Sequence, residues 1–128
     1  MSSDESLNPA AAEAERKYLE ALKLITAEGG RRDVAGAVRL FTESADAGHA
    51  RAQCNLGYLY SEGLGVERDM NKAVHYLRLS AEQGVVQAQT NLGVFYERGR
   101  GVPKNLATAV SWYEKAALQK NPDACYNL

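Results

Sequence analysis

The chain has 128 residues, of which 45% are hydrophobic, so it can build one domain-sized core and is too short for a multidomain enzyme. Its 15 basic and 16 acidic residues leave a formal charge of −1, which is not the charge of a protein that binds nucleic acid or anionic membranes. We therefore expect its partners to be proteins or peptides, with no nucleic acid and no membrane insertion.

The N-terminal residues 1–12 form an acidic, serine-containing stretch without an apolar pattern, and we predict that they are a disordered tail. This stretch resembles neither a secretory signal nor an Arg-rich transit peptide. No segment approaches the roughly 18 uninterrupted apolar residues that a membrane span requires. The two cysteines, Cys54 and Cys125, form no C-x-x-C motif. Together these features predict a protein of the reducing cytoplasm.

The rest of the chain repeats itself, since Ala52 recurs as Ala88, 36 residues later, and many other residues recur at the same step. The step predicts a degenerate N-terminal repeat at 13–48, two full repeats at 49–84 and 85–120, and the start of a truncated repeat at 121–128. The other identical pairs of the two full repeats are Gln53/Gln89, Asn55/Asn91, Leu56/Leu92, Gly57/Gly93, Tyr60/Tyr96, Gly63/Gly99, Gly65/Gly101, Val66/Val102, Ala73/Ala109, Val74/Val110, Ala81/Ala117 and Gln83/Gln119.

Each repeat is predicted to form two helices, because apolar or small residues recur at i, i+3, i+4 and i+7 on both sides of a glycine-containing loop. Gly63 can adopt the left-handed conformation that ends a helix. Asp69, and Asn105 in the next repeat, can cap the helix that follows by accepting from its free N–H groups. The sequence therefore predicts an all-α chain of helical hairpins.

These residues resemble the Sel-one-like repeat (SLR) family, an α-solenoid family related to tetratricopeptide repeats. The second full repeat departs mildly from the pattern, with Asn105, Thr108, Trp112 and Lys120 at four of its positions. The residues that carry the resemblance are Ala52-x-x-x-Leu56-Gly57-x-x-Tyr60-x-x-Gly63-x-Gly65-Val66-x-x-Asp69-x-x-Lys72-Ala73-x-x-Tyr76-x-x-x-x-Ala81-x-x-Gly84.

The resemblance implies a right-handed α-solenoid of antiparallel helix pairs that holds other proteins in complexes, and it implies no single activity. The disulfide-bonded branch of the family is not indicated, because Cys54 and Cys125 form no regular pair within a repeat. We expect a peptide or protein partner to bind the concave face, which the first helix of each repeat forms. The candidate groove residues beside the buried stripe are Arg51, Asn55, Tyr58, Glu62, Gln87, Asn91, Val94 and Arg98.

Three asparagines, Asn55, Asn91 and Asn127, recur at one position of the repeat. Their amides could form a ladder that donates to and accepts from the backbone of a ligand. They could equally bond to the backbone of a neighbouring helix and fix the spacing of the repeats. The sequence leaves both interpretations open.

No set of catalytic residues, metal ligands or phosphate-binding glycines can be recognised, and we predict no enzyme activity, no cofactor and no metal. Gly63-x-Gly65 lacks the third glycine of a dinucleotide fingerprint and follows a helix. His49 and His75 are expected to face solvent or to cap helices. Cys54 is expected to fill a small apolar space, with oxidation of a partly exposed thiol beside Arg51 as the alternative.

The sequence thus favours a non-catalytic scaffold or adaptor. The alternative is a regulatory or targeting module of a longer enzyme or signalling-complex protein. A last helix starting at Pro122 would be too short to be stable alone, and Leu128 would occupy a core position with no following helix to cover it. The sequence therefore predicts either self-association through the C-terminal face or a longer parent chain.

Overall fold

A computed structural model describes residues 8–30 and 32–119 of the chain. Within these residues the backbone forms six α-helices, and the predicted all-α solenoid is confirmed. We pair the helices into unit 1 (α1 and α2), unit 2 (α3 and α4) and unit 3 (α5 and α6). The helices are α1 (Pro9–Thr26), α2 (Val34–Asp46), α3 (Ala50–Glu62), α4 (Met70–Glu82), α5 (Val86–Arg98) and α6 (Leu106–Ala117).

Polar side chains start most of these helices. Asp69 Oδ1 accepts from Lys72 N at 3.1 Å, and Asn105 Oδ1 accepts from Thr108 N at 3.0 Å, which confirms both predicted caps. Asn8 and Asp33 cap α1 and α2 in the same way. Each bond satisfies an N–H group that would otherwise have no partner in the first helical turn.

The loops within the three units share one backbone hydrogen bond, although their first helices do not all end alike. Gly63 and Gly99 end α3 and α5 with φ of 69° and 70°, in the left-handed region predicted for Gly63. In every unit the residue before the second helix donates to a carbonyl near the end of the first helix. These bonds are Asp33 N to Leu24 O (2.9 Å), Asp69 N to Tyr60 O (3.0 Å) and Asn105 N to Tyr96 O (2.9 Å). Unit 1 therefore shares this closing bond with the others, although α1 ends at Ala27 in an extended conformation and not at a left-handed glycine.

The core is divided along the array, and each helix packs mainly on the helices before and after it. One cluster, centred on Phe41 and Leu56, joins α1, α2 and α3. The next cluster, centred on Leu77 and Leu92, joins α3, α4 and α5. A chain built in this way gains its stability from nearest-neighbour contacts, as in other helical repeat proteins.

Glutamine side chains join successive units. Gln53 Nε2 donates to Ala45 O and Gln89 Nε2 donates to Ala81 O, both at 3.1 Å, so the same bond links unit 2 to unit 1 and unit 3 to unit 2. Gln83 Nε2 adds bonds to Gly48 O at 3.0 Å and to Gln53 Oε1 at 2.9 Å. Gln53 and Gln89 are buried and Gln83 is exposed, and together their amides fix the spacing of the units, a role that sequence reasoning did not assign to them.

The predicted boundary of the N-terminal tail at residue 12 is too late, because α1 begins at Pro9. Asn8 caps this helix and Pro9 occupies its first position, followed by alanines that favour the helix without an apolar pattern. Residues 1–7 and the predicted truncated repeat at 121–128 lie outside the described residues. Among the described helices, none combines the length and the apolar character that a membrane crossing requires.

Cys54 is fully buried in the second core cluster and is disulfide-bonded. The alternative of a partly exposed, reactive thiol is therefore wrong for this residue, and so is its expected reduced state. The separation of cysteines along the chain does not reveal which sulfur atoms meet in the fold. The chain's other cysteine, Cys125, lies outside the described residues, and the cytoplasmic location stays a prediction.

Candidate functional site

Four of the eight predicted groove residues line one cavity between α3 and α5. Tyr58 and Glu62 come from α3, and Asn91 and Val94 come from α5. The cavity has a volume of about 190 Å³ and lies at the second junction of the array, where unit 2 meets unit 3. We call it the second cavity. The helical spacing used to choose these residues thus places them together in the fold.

The second cavity has an apolar floor and a polar rim. Leu77 and Phe95 are buried and form part of its apolar lining. The guanidinium of Arg100 lies over the Phe95 ring, 5.1 Å from its centroid, which is the geometry of a cation–π contact. The carboxylate of Glu62 and the amide of Asn91 add charge and hydrogen-bonding capacity to the lining.

The other four predicted groove residues do not line this cavity. Arg51 lies beside His49 and Glu15 at a separate cavity of about 300 Å³. Gln87 is half-buried and Arg98 is exposed. Asn55 is only 1% exposed. The eight predicted residues therefore do not form one continuous lining: four line the second cavity and four lie elsewhere.

The recurring asparagines differ in their exposure. Asn55 is buried, Asn91 is half-buried and lines the second cavity, and Asn127 lies outside the described residues. The same position of the repeat therefore presents its amide to different surroundings in successive units. Of the two described asparagines, only Asn91 lies on a cavity surface that a ligand could reach.

A larger cavity, of about 370 Å³, lies where unit 1 meets unit 2, and we call it the first cavity. It occupies the same place in the array as the second cavity, because several of its residues precede residues of the second cavity by 36 positions. These pairs are Ile25/Ser61, Thr26/Glu62, Tyr58/Val94, Leu59/Phe95 and Leu64/Arg100. Tyr58 lines both cavities.

Sequence reasoning placed no binding residue of unit 1 in a site, although Thr26 and Arg32 line the first cavity. The loop between α1 and α2 lacks the Gly-x-Gly-Val signature of the other loops, although Gly29 and Asp33 precede Gly65 and Asp69 by 36 residues. The signal that could have found the cavity is the 36-residue step itself, which relates Leu59 and Leu64 to Phe95 and Arg100.

His49 has the capping role that the sequence allowed. Its Nδ1 accepts from Ala52 N at 3.1 Å and so caps α3. Its Nε2 lies 2.5 Å from Glu15 Oε1, and its ring stacks on Tyr18 with centroids 4.6 Å apart. Because Nδ1 accepts, the neutral ring carries its proton on Nε2 and donates it to Glu15. His49 therefore ties α3 to α1.

Two tyrosine side chains, Tyr76 and Tyr113, have pKa values above the ordinary value of a phenol. Burial, together with a 3.0 Å hydrogen bond to Asp46 and its negative charge, raises the pKa of Tyr76 to about 12. A hydrogen bond to Glu97 raises the pKa of Tyr113, with a smaller contribution from burial. Both hydroxyls donate to a carboxylate, which favours the neutral phenol.

Helix α6, the last of the described helices, exposes apolar side chains. Leu106, Val110 and Leu118 are 57%, 52% and 81% exposed, whereas Val74, the counterpart of Val110 in unit 2, is 4% exposed. Unit 3 covers Val74, as the packing of α5 and its loop on α4 shows. Self-association through this end of the array stays a prediction.

The described surfaces offer apolar contacts and hydrogen-bonding groups. No group of three or more His, Cys, Asp or Glu side chains that could hold a metal occurs among residues 8–30 and 32–119. The two cavities combine buried apolar side chains with a few polar groups, which is the usual composition of a site that receives a side chain of a ligand.

Comparison with known proteins identifies the repeat. The model of the Sel1 repeat family matches residues 26–49, 50–85 and 86–121. These three matches cover most of the chain, and the predicted Sel-one-like resemblance is confirmed. No curated protein matches the chain.

Several solved structures are similar to this fold. The c5321 protein of uropathogenic Escherichia coli, described as a protective antigen displaying an SLR fold, is 39% identical with a TM-score of 0.80. The similarity covers 84% of this chain but 23% of that one, so this chain spans about a quarter of the antigen's length.

A Sel1 repeat protein from Oxalobacter formigenes is 31% identical, with a TM-score of 0.75, and the similarity covers 91% of this chain and 92% of that one. Cysteine-rich protein B of Helicobacter pylori is 21% identical, with a TM-score of 0.71, over 88% of this chain and 84% of that one. At that identity the Helicobacter structure supports the fold alone.

Proposed function

This chain belongs to the Sel1 repeat family, and from that premise we propose that it is a non-catalytic scaffold that binds an extended or helical segment of a protein partner along its first helices. Sel1-repeat proteins are generally scaffolds for protein interactions, and nothing in the described residues indicates catalysis. The proposed site is the surface that includes the second cavity, with Tyr58, Glu62, Asn91 and Val94 as its contact residues.

The observation that carries this proposal is the second cavity itself. Its volume of about 190 Å³ suits one side chain of a partner, which would pack on Leu77 and Phe95. Glu62 and Asn91 lie beside that floor and can hydrogen-bond to a peptide backbone or to polar side chains. An apolar anchor surrounded by polar groups is the common arrangement of a binding hot spot.

The test uses random linear peptides displayed on phage, selected against the 128-residue chain and then measured singly by fluorescence anisotropy. Val94→Arg places a charge over the apolar floor and should weaken binding by about tenfold or more. The matched control is Val110→Arg, because Val110 is an exposed valine of α6 that lines neither of the two cavities. This control should bind the peptides like the wild type.

Helix content and thermal unfolding show whether the variants fold. Should Val94→Arg unfold, Asn91→Ala serves in its place, since alanine keeps the helix and removes only the amide. Selected peptides that bind Val94→Arg and Asn91→Ala as tightly as the wild type would contradict the proposed site. A library that yields no binding peptide would contradict the proposed peptide-binding function.

A further inference from the structure

The first cavity differs from the second in its charge. Arg32 is the one charged residue among the described residues of its lining, whereas the described lining of the second cavity contains both Glu62 and Arg100. Arg32 is exposed, and none of the ion pairs among residues 8–30 and 32–119 involves it. The first cavity therefore presents a guanidinium that makes no ion pair with a described carboxylate, and such a group binds carboxylates strongly and directionally.

The remaining surface of the first cavity is largely apolar. Leu59 is fully buried, Ile25 is 9% exposed and Val34 is half-buried, so they form a fixed apolar wall. The volume of about 370 Å³ is larger than the roughly 150 Å³ of an apolar cavity that holds a benzene ring. A large aliphatic or aromatic side chain fits such a space.

Two backbone carbonyl groups at the helix ends beside this cavity already accept hydrogen bonds from the protein. Leu24 O, in the last turn of α1, accepts from Asp33 N at 2.9 Å. Leu59 O, in the last turn of α3, accepts from Leu64 N at 3.0 Å. The side-chain hydrogen bonds and ion pairs between described residues do not involve the Arg32 guanidinium, which can therefore donate to an acceptor on a ligand.

We infer that the first cavity binds a residue of the partner that carries a large apolar side chain next to a carboxylate. The side chain would pack on Ile25 and Leu59, and the carboxylate would accept hydrogen bonds from Arg32. This inference deepens the proposed scaffold function by naming the chemistry of its partner. Because Tyr58 lines both cavities, one bound segment would contact both.

Three small probes test the inference by NMR titration of the 128-residue chain. N-acetylphenylalanine carries a terminal carboxylate, N-acetylaspartylphenylalaninamide carries a side-chain carboxylate, and N-acetylphenylalaninamide carries none. We expect one or both of the carboxylates to bind about fivefold more tightly than the neutral amide, with shifts at Ile25, Leu59 and Leu64. The tighter of the two acids identifies the source of the carboxylate.

Arg32→Gln is the decisive variant, because it removes the charge of an exposed side chain and should not disturb folding. It should abolish the preference for the carboxylates and leave the neutral amide unaffected. The matched control is Arg68→Gln, the exposed arginine 36 residues later, which lines neither of the two cavities. This control should keep the full preference.

The inference is overturned if the neutral amide binds as tightly as both acids, or if Arg32→Gln and Arg68→Gln have the same effect. It is also overturned if none of the probes shifts the residues of the first cavity. Val94→Arg, which tests the second cavity, should leave the probes bound as in the wild type. Failure of this inference and failure of the proposed peptide groove are therefore observed in different variants.

Discussion

Unit 1 meets unit 2 around a cavity of about 370 Å³, and unit 2 meets unit 3 around a cavity of about 190 Å³. The glutamine bonds Gln53 to Ala45 and Gln89 to Ala81 are identical at the two junctions, so the backbones are held at the same spacing. The difference lies in the side chains that fill the space. At the position of Leu64 in the first cavity, the second has Arg100, which covers Phe95.

The junctions also differ in how α3 and α5 begin. His49 caps α3 and contacts Glu15, whereas Val85, the equivalent residue before α5, is fully buried and makes no side-chain cap. One junction thus uses a polar bridge where the other uses apolar packing. The comparison teaches that repeated glutamines set the frame, while a few unrepeated side chains give each junction its own surface.

The largest expected effect comes from removing the buried wall of either cavity. Leu59→Ala should lower the free energy of unfolding by about 2–5 kcal/mol and Phe95→Ala by about 3–5 kcal/mol, because each deletes a buried side chain and leaves a void. Urea unfolding followed by circular dichroism measures both. Leu64→Ala is the control, since Leu64 is 44% exposed and its loss should change stability by about 0.5 kcal/mol or less.

Equal losses for Leu59→Ala and Leu64→Ala would show that the first cavity has no rigid wall and would remove the basis for a preformed site. A loss for Phe95→Ala far below that of Leu59→Ala would show that the second junction closes over the space left by the ring.

A medium effect on stability is expected when His49 at the first junction is replaced by valine, the residue that Val85 provides at the second junction. His49→Val removes the cap of α3 and the contact with Glu15, and should cost about 1 kcal/mol. Chemical denaturation measures the change. The reverse substitution, Val85→His, should cost more, because Val85 is fully buried and the imidazole would lose its hydration there.

A stability unchanged in His49→Val would mean that water replaces the cap without loss. The polar bridge would then not distinguish the stability of the first junction from that of the second.

The smallest effect concerns a hydrogen bond that only the first junction has. Tyr76 of unit 2 donates to Asp46 of unit 1, whereas the equivalent residue of unit 3 is Trp112, which has no hydroxyl group. The pKa of Tyr76 is raised from 10.0 to about 12, so the folded chain favours the neutral phenol. Its contribution to stability is fully present below pH 10 and is lost as the pH rises through about 12.

Tyr76→Phe tests this expectation. The stability difference between wild type and variant should shrink as the pH rises from 10 to about 12, and the ultraviolet titration of tyrosinate should lose the component near pH 12 while the raised pKa of Tyr113 remains. Tyr113→Phe is a control that also removes a phenol bonded to a carboxylate, but within unit 3. A difference that stays constant with pH would show that Tyr76 ionises alike in the folded and unfolded chains.

Most of the fold could be predicted from the sequence, because the 36-residue step and the caps Asp69 and Asn105 are local features. The start of α1 was placed too late because the alanines after Pro9 have no apolar pattern, although Asn8-Pro9 is a local start signal of a cap residue followed by proline. The sequence also did not reveal the closing hydrogen bond that the loop of unit 1 shares with the other loops. Its bond from Asp33 N to Leu24 O is made by backbone atoms, which carry no sequence signature.

The candidate site was predictable only in part. Helical spacing brought Tyr58, Glu62, Asn91 and Val94 to one cavity, because residues of one helix face remain together in the fold. The same spacing failed to show that Asn55 is buried, since burial depends on the neighbouring helices. Arg32 was assigned no binding role, because the cavity that it lines is formed by residues distant in sequence.

The sequence by itself determined the repeat, the helices and the order of the units, because these follow from periodic apolar residues and from caps a few positions apart. Only the tertiary structure decided which of the repeated positions are buried and which surround a cavity. Val74 and Val110 occupy the same position of the repeat, yet Val74 is covered by the next unit and Val110 is exposed. Exposure is a property of the neighbours that a residue meets, and the periodic pattern of one helix does not contain it.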